Sequence, residues 1–313
     1  MTSLVAVTVT VAVLLAALQA PVRREVAVTF DDLPLVSSEP LSLAGSDSLT
    51  VRLLGALTRH RVPAIGFVNE NRLMDASGHL DSAMVRLLER WLDGGFELGN
   101  HTYGHPNLHQ TSLVAYEEDI IRGETVTRRL LGARGKAPRY FRHPFLHTGR
   151  SLEVRDSLVT FLTAHGYLVA PVTIDNSDYV FARAFDRAHA RGDAVATTRL
   201  AASYLEYMDA VVSFYERQSV AILGREIPQV LLLHASPLNA EAFDRLATRL
   251  EERGYTMVSL DRALADSAYQ SADRYTGPAG ITWLHRWAIT RGMPGSVFRG
   301  EPDVPAWVIK AAQ

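Results

Sequence analysis

Asp31 and Asp32 stand side by side at the end of the apolar run 26–30, and His101 and His105 follow a second apolar run at a four-residue spacing. Two carboxylates at the mouth of a buried strand repel each other and lose hydration, so a proton or a cation must offset their charge. One Asp with two His is a suitable set for zinc, three protein ligands leaving a fourth position for water or substrate. The second Asp is then free to act as a base. Taken singly these features are common: an Asp-Asp pair often closes a turn or caps a helix, and a His pair is often solvated or structural.

The elements that must position these residues are readable from periodicity. Apolar runs of strand length occur at 26–30, 64–68, 96–98, 140–141, 168–174, 230–233 and 256–260,. Amphipathic helical patterns lie between them at 49–58, 83–92, 113–131, 152–164 and 241–252, the last four followed by Gly residues suited to helix C-caps,. Strand–helix alternation implies a parallel sheet, either doubly wound or closed into a barrel. Asp31 and Asp32, Asn100 and His101, Arg142 and His143, Asp175 and Asp178, and His234 each follow a different expected strand. An open sheet gathers only the strand ends near its switch point, whereas a barrel brings all of them to one face. Five contributing strands therefore favour an α/β fold of the barrel type with seven strands.

Composition narrows the function classes. The 313 residues are 47% hydrophobic, room for one large domain or two smaller ones,. A net charge of -2 gives no basic field, so nucleic acid is not an expected partner,. Without cysteine there are no disulfides, thiolate catalysis or Cys-type zinc sites,. Residues 4–18 are apolar except for Thr8 and Thr10, and small residues at Ala16, Ala17 and Ala20 suit a cleavage site. Export to the periplasm, cell envelope or medium is the expectation. The alternative is a membrane anchor formed by residues 4–20, because Leu18, Pro21 and the lack of an N-terminal Lys or Arg depart from the simplest signal,.

The segments Thr29-Phe30-Asp31-Asp32, His101-Thr-Tyr-Gly-His105, Arg142-His-Pro-Phe145, Asp175-Asn-Ser-Asp178-Tyr179 and Leu232-Leu-His234 resemble the five ordered motifs of the polysaccharide deacetylases, carbohydrate esterase family 4. The likeness runs over residues 25–262. One such motif is weak; five in order, each at a strand end, are strong. The resemblance implies a distorted seven-stranded β/α barrel, one divalent metal ion with zinc the expected one, and removal of acetyl groups from N- or O-acetylated glycans. It makes Asp32, His101 and His105 the metal ligands and Asp31 the catalytic base, with Arg142 orienting that base and keeping it ionised. His234 becomes the acid that protonates the departing amine or alcohol, held by Asp178. The metal would polarise the acetyl carbonyl and the attacking water, and the oxyanion would be held by metal and a backbone N–H.

Departures from the family pattern bear on the pocket wall. Leu33 stands where Gly is frequent, His143 and Leu146 differ from the common Arg-x-Pro-Tyr-Gly form, and Tyr179 takes a place often held by Trp. Residues 181–223 exceed a simple connection and suggest an inserted helix pair before the last-but-one strand, its Leu200, Tyr204, Tyr207, Met208, Val211 and Phe214 stripe reading as core,. The chain thus divides into a segment 1–20, a barrel over 25–265 with the insert, and an extension 266–313 packed on it, where Trp283 and Trp287 share one helical face,. The Glu117-Glu118-Asp119 run reads as a solvated helix face, Asp175 as a turn residue, and His143 and His147 as candidates to line the cleft. Three functions fit: a glycan deacetylase acting on peptidoglycan, chitin-like or xylan-like polymers, a metal amidase or esterase on a small substrate, and a silent glycan-binding protein. The last would have lost Asp31 or His234, and both are present. No pattern in the sequence indicates an oligomeric state.

Overall fold

The structure is a computed structural model that describes residues 24–313; the export or anchor segment lies outside the described residues. Among the described residues seven strands form: β1 (Arg24–Leu33), β2 (Ile65–Val68), β3 (Glu97–Asn100), β4 (Tyr140–Phe141), β5 (Leu168–Val169), β6 (Gln229–His234) and β7 (Tyr255–Met257). The helices in chain order are α1 (Leu43–Arg59), α2 (Ser82–Asp93), α3 (Leu113–Arg122), α4 (Thr125–Gly132), α5 (Leu152–Ala164), α6 (Asp178–Ala190), α7 (Ala194–Leu223), α8 (Pro237–Glu252), α9 (Leu260–Leu264), α10 (Trp283–Thr290) and α11 (Ala306–Ala312). Among the described residues, no helix is long and apolar enough to cross a membrane.

The sheet runs β5-β4-β3-β2-β1-β6, every pair parallel, with β7 on the first residues of β1. β1 is buried along almost its whole length because it lies between β2 and β6 with helices outside, which is why its sequence is an unbroken apolar run rather than an alternation,. Ser42, Asp81, Ser112, Ser151 and Ser236 start their helices by accepting a backbone N–H from the first turn,. The main core includes Phe30, packed on Trp91 and Phe243 with ring centroids 5.6 and 5.8 Å away.

The expected strand 168–174 is two things. Leu168 and Val169 pair with β4, then the chain crosses to the other margin of the sheet, where Ile174 bridges Leu231 of β6. That crossing closes the distorted barrel. The expected helix 113–131 is also two, broken between α3 and α4 at Gly123. A Cβ there would stand 2.3 Å from the carbonyl carbon of Thr102, so the missing side chain lets the loop carrying His101 and His105 press into the break. The insert consists of α6 and α7 before β6, the last strand but one. Its Leu200, Tyr204, Tyr207, Met208, Val211 and Phe214 are buried.

Candidate metal and acid–base site

Neighbouring residues on a strand point to opposite faces, so Asp31 and Asp32 could not both serve one site on a regular β1. The ladder with β2 is irregular there: Phe30 pairs with Gly66 but Leu33 with Val68, one extra residue on β1. Asp32 takes a left-handed φ of 63°, and this bulge turns both carboxylates toward the same imidazole,. Asp31 Oδ2 lies 3.8 Å and Asp32 Oδ1 3.6 Å from His101 Nε2. Asp32 Oδ1 is also 3.6 Å from His105 Nε2, and Asp32 Oδ2 receives Arg72 Nη2 at 3.2 Å.

The loop after β3 is just as constrained. Thr102 and His105 have φ values of 69° and 56°, a conformation that costs an L-residue about 1–2 kcal/mol,. Asn100 Oδ1 accepts the Thr102 amide at 2.7 Å and the Thr102 hydroxyl accepts the His105 amide at 3.0 Å. The Asp119 carboxylate accepts the amides of Tyr103 and Gly104 at 2.9 and 2.8 Å. Asp119 therefore belongs to the site's support rather than to a solvated face. Its link to the loop crosses between elements, and no local pattern in the sequence marks it.

Asp32, His101 and His105 are, among the described residues, the one group of His, Asp and Glu side chains able to converge on a metal ion, with donor atoms within 4.8 Å of one another. They fit such an ion. Asp32 Oδ1 is shut off from solvent and has no hydrogen-bond partner, an expensive state for a carboxylate oxygen unless a cation meets it,. His101 Nδ1 donates to the Arg142 carbonyl at 2.7 Å, which fixes the tautomer and leaves the Nε2 lone pair facing Asp32,. Burial pushes both imidazoles down to about 4, so at neutral pH they are uncharged and able to ligate,.

On one side of this group stands Asp31, buried against Arg142. Arg142 is completely buried; Nη1 lies 3.3 Å from both Asp31 oxygens, Nη2 donates to the Thr29 hydroxyl at 3.0 Å and Nε to the Ala170 carbonyl at 2.9 Å. The guanidinium carbon also sits 4.6 Å from the Phe67 ring centroid,. Burial nevertheless outweighs Arg142 and His234 and raises the Asp31 carboxyl above the ordinary range. Arg142 lies where it can orient Asp31 and favour its charged form, while burial makes Asp31 a more basic carboxylate than one in water,.

On the other side, His234 pairs in register with Asp31 across β1 and β6. Its Nδ1 is 2.7 Å from Asp178 Oδ1, while Asp178 Oδ2 accepts the His234 amide and Asn239 Nδ2, both at 2.8 Å. Asn239 in turn accepts from the Tyr204 hydroxyl of the insert at 2.8 Å. Burial alone would lower His234; Asp178, then Asp32 and Asp31, outweigh it and push the imidazole up to about 10. Tyr179 has its ring 6.4 Å from His234 and is 56% exposed.

The seven expected site residues therefore converge, and others are sorted around them. Asp175 accepts its neighbour's amide, as a turn residue would, but burial raises it to about 6. His143 does not line the cleft; it is buried against Phe141, ring centroids 5.0 Å apart. His147 does lie near it, stacked on His109 at 3.9 Å. A separate cleft between α1, α8 and the insert, lined by Leu49, Phe185, Thr197 and Arg245, contains none of the seven. Trp287 is buried on Tyr269, and Trp283 is partly buried.

Residues 19–165 match the family model described as polysaccharide deacetylase. A peptidoglycan-N-acetylglucosamine deacetylase of Bacillus cereus is 27% identical over 157 residues, 50% of this chain and 47% of that protein. A chitin deacetylase of Colletotrichum lindemuthianum is 24% identical over 242 residues, 77% of this chain and 80% of that protein. A chitooligosaccharide deacetylase of a Bradyrhizobium strain is 30% identical over 123 residues, 39% of this chain and 46% of that protein. The chain spans about half the length of the first and third of these relatives. Its match over residues 19–165 includes the paired Asp, the two His and Arg142, so this part of the chain is similar to the polysaccharide deacetylase family.

Proposed function

We propose that this protein is a metal-dependent hydrolase that removes acetyl groups from an N- or O-acetylated polysaccharide of the peptidoglycan, chitin-like or xylan-like kind. The observation that carries the reading is the orphaned, solvent-shielded Asp32 Oδ1 facing two imidazole Nε2 atoms, with a carboxylate base on one side and a protonated histidine on the other. Zinc suits two imidazoles and one carboxylate best. When bound, it supplies Lewis-acid polarisation of the acetyl carbonyl. Asp31, its basicity raised by burial and its orientation set by Arg142, takes the proton of the attacking water,. His234 carries a proton at neutral pH and gives it to the departing amine or alcohol, while Asp178 steadies the resulting neutral ring.

The names of the relatives, which include peptidoglycan, chitin and chitooligosaccharide deacetylases, agree with a glycan substrate. Phe145 and Tyr179, 52% and 56% exposed near His105 and His234, offer rings to a sugar face and favour an open, polymer-sized site over one closed around a small molecule,. The apolar 4–18 run favours export, with anchoring as the alternative,. Zinc-loaded protein incubated with acetylated peptidoglycan, chitin oligomers and acetylated xylan should release acetate from at least one. Release only from small acetyl amides or esters moves the function to the small-substrate class, and no release from any substrate overturns it.

A further inference from the structure

Phe145 and Leu146 have consecutive left-handed φ values of 56° and 54°, at a turn where the chain carries Leu instead of the Gly that would adopt it freely,. The turn's own bonds, Leu146 N–H to His143 carbonyl and His147 N–H to Pro144 carbonyl, are each 3.1 Å long. Two left-handed L-residues in a row persist only where the surroundings hold them. The holding groups come from the C-terminal extension, far away in sequence.

Gly280 lies so close to the turn that a Cβ on it would stand 1.8 Å from the Phe145 carbonyl oxygen. Arg286, only 1% exposed, donates to the Leu146 carbonyl at 3.4 Å and to the Thr148 hydroxyl, and is itself tied to Asp273 at 2.7 Å. Its guanidinium lies 4.7 Å from the Trp283 ring centroid and 5.2 Å from that of Tyr275. Trp283 donates its amide to the Val172 carbonyl at 2.8 Å and packs with Leu146, Val172 and Leu232, the last two from the margins where the barrel closes. The extension thus grips the turn by a backbone approach, a buried guanidinium and an indole. What the turn presents is Phe145, its ring 4.5 Å from that of His105 and half exposed.

We propose that the C-terminal extension is part of the substrate site, with Arg286 and Gly280 as positioning residues that hold the Phe145–Leu146 turn so that the Phe145 ring forms a wall for the acetylated glycan beside His105. The proposal rests on the glycan deacetylase reading for its substrate, but not for the grip itself. Arg286 never touches the substrate; it acts through Phe145.

Arg286→Lys, Gly280→Ala and Phe145→Ala, with the double variant Arg286→Lys/Phe145→Ala, test it. Acetate-release kinetics on the best glycan should show KM raised about tenfold in each single variant with kcat within about threefold, and zinc content unchanged. The double variant should be no worse than Phe145→Ala, because two changes on one path do not add. Hydrogen exchange at the Leu146 and His147 amides should quicken about tenfold in the first two variants. If Arg286→Lys does not fold, Thr148→Val removes only the hydroxyl acceptor and should give the same effects at smaller size. Additive effects in the double variant, or a lowered Tm with KM unmoved, overturn the positioning role. If the unaltered protein releases no acetate, the deacetylase reading fails, and unchanged amide exchange then separately overturns the grip.

Discussion

One carboxylate of Asp178 holds His234 twice, accepting the ring Nδ1 at 2.7 Å on one oxygen and the backbone amide at 2.8 Å on the other. The double hold fixes the ring's rotation as well as its charge, leaving Nε2 as the nitrogen turned away from Asp178.

The pH dependence follows from that pairing. With the imidazole near 10, the acid form is lost only as pH rises through about 10, so the basic limb of kcat should lie there. Asp178→Asn removes the leading group that offsets burial; the limb should move toward neutral pH, and kcat at pH 8 should fall about 100-fold. The shift also bears on stability: the folded value lies above the ordinary 6.5, so the stabilisation is fully present below about pH 6.5 and disappears as pH rises through about 10,. Rate profiles and urea midpoints between pH 6 and 11 check both signs. A basic limb left in place by Asp178→Asn would remove His234 as the acid.

Zinc retention separates ligands from the base. Purified Asp31→Asn should keep stoichiometric zinc and lose turnover by about 1000-fold or more, whereas a His101→Ala/His105→Ala double variant should lose the zinc. Elemental analysis with acetate kinetics distinguishes them. Normal zinc in the double variant would place the metal elsewhere.

Chelation should lower Tm in the wild type, because an ion bound to the folded state alone stabilises it by mass action. The same treatment should leave the double His variant unmoved. Differential scanning calorimetry with and without chelator reads the difference, and equal falls in both proteins would contradict the assigned ligands.

Asp119→Ala should weaken zinc binding by about 10- to 100-fold, the scale of lost support behind a ligand, without removing any donor atom. Competition with a chromogenic chelator measures it. An unchanged affinity would reduce Asp119 to a helix residue with two incidental hydrogen bonds.

Much of the fold was legible because the central strands β1, β2 and β6 are buried on both faces and therefore spell continuous apolar runs,. The site was legible for a related reason: polar residues at the ends of such runs have little else to do. Other features left no local trace. An apolar run does not reveal that 168–174 changes partner midway, since Val172 and Ile174 are as buried at β6 as they would be at β4. A Gly inside a helical pattern is tolerated often enough that Gly123 did not signal a break. Asp119 looked like its neighbours Glu117 and Glu118 because its distinction is a partner on another element. Arg286 was hidden in the same way, its Leu146 contact spanning 140 positions of sequence.

The barrel's closure gives Arg142 a mechanical duty. Where the chain crosses from β5 to β6 the wall is tied by few bonds, among them Ile174 N–H to Val230 carbonyl at 3.0 Å and Leu232 N–H to Ile174 carbonyl at 3.1 Å. Arg142 extends from the end of β4, bonds Ala170 at the start of that crossing, and reaches Thr29 and Asp31 on β1 on the far side. It is a crossbar inside a cylinder with one thin seam. Strain on the wall is therefore carried through the residue that holds Asp31, and a split along the seam would slacken Asp31 before it disturbed Asp32 or the loop after β3 that carries His101 and His105.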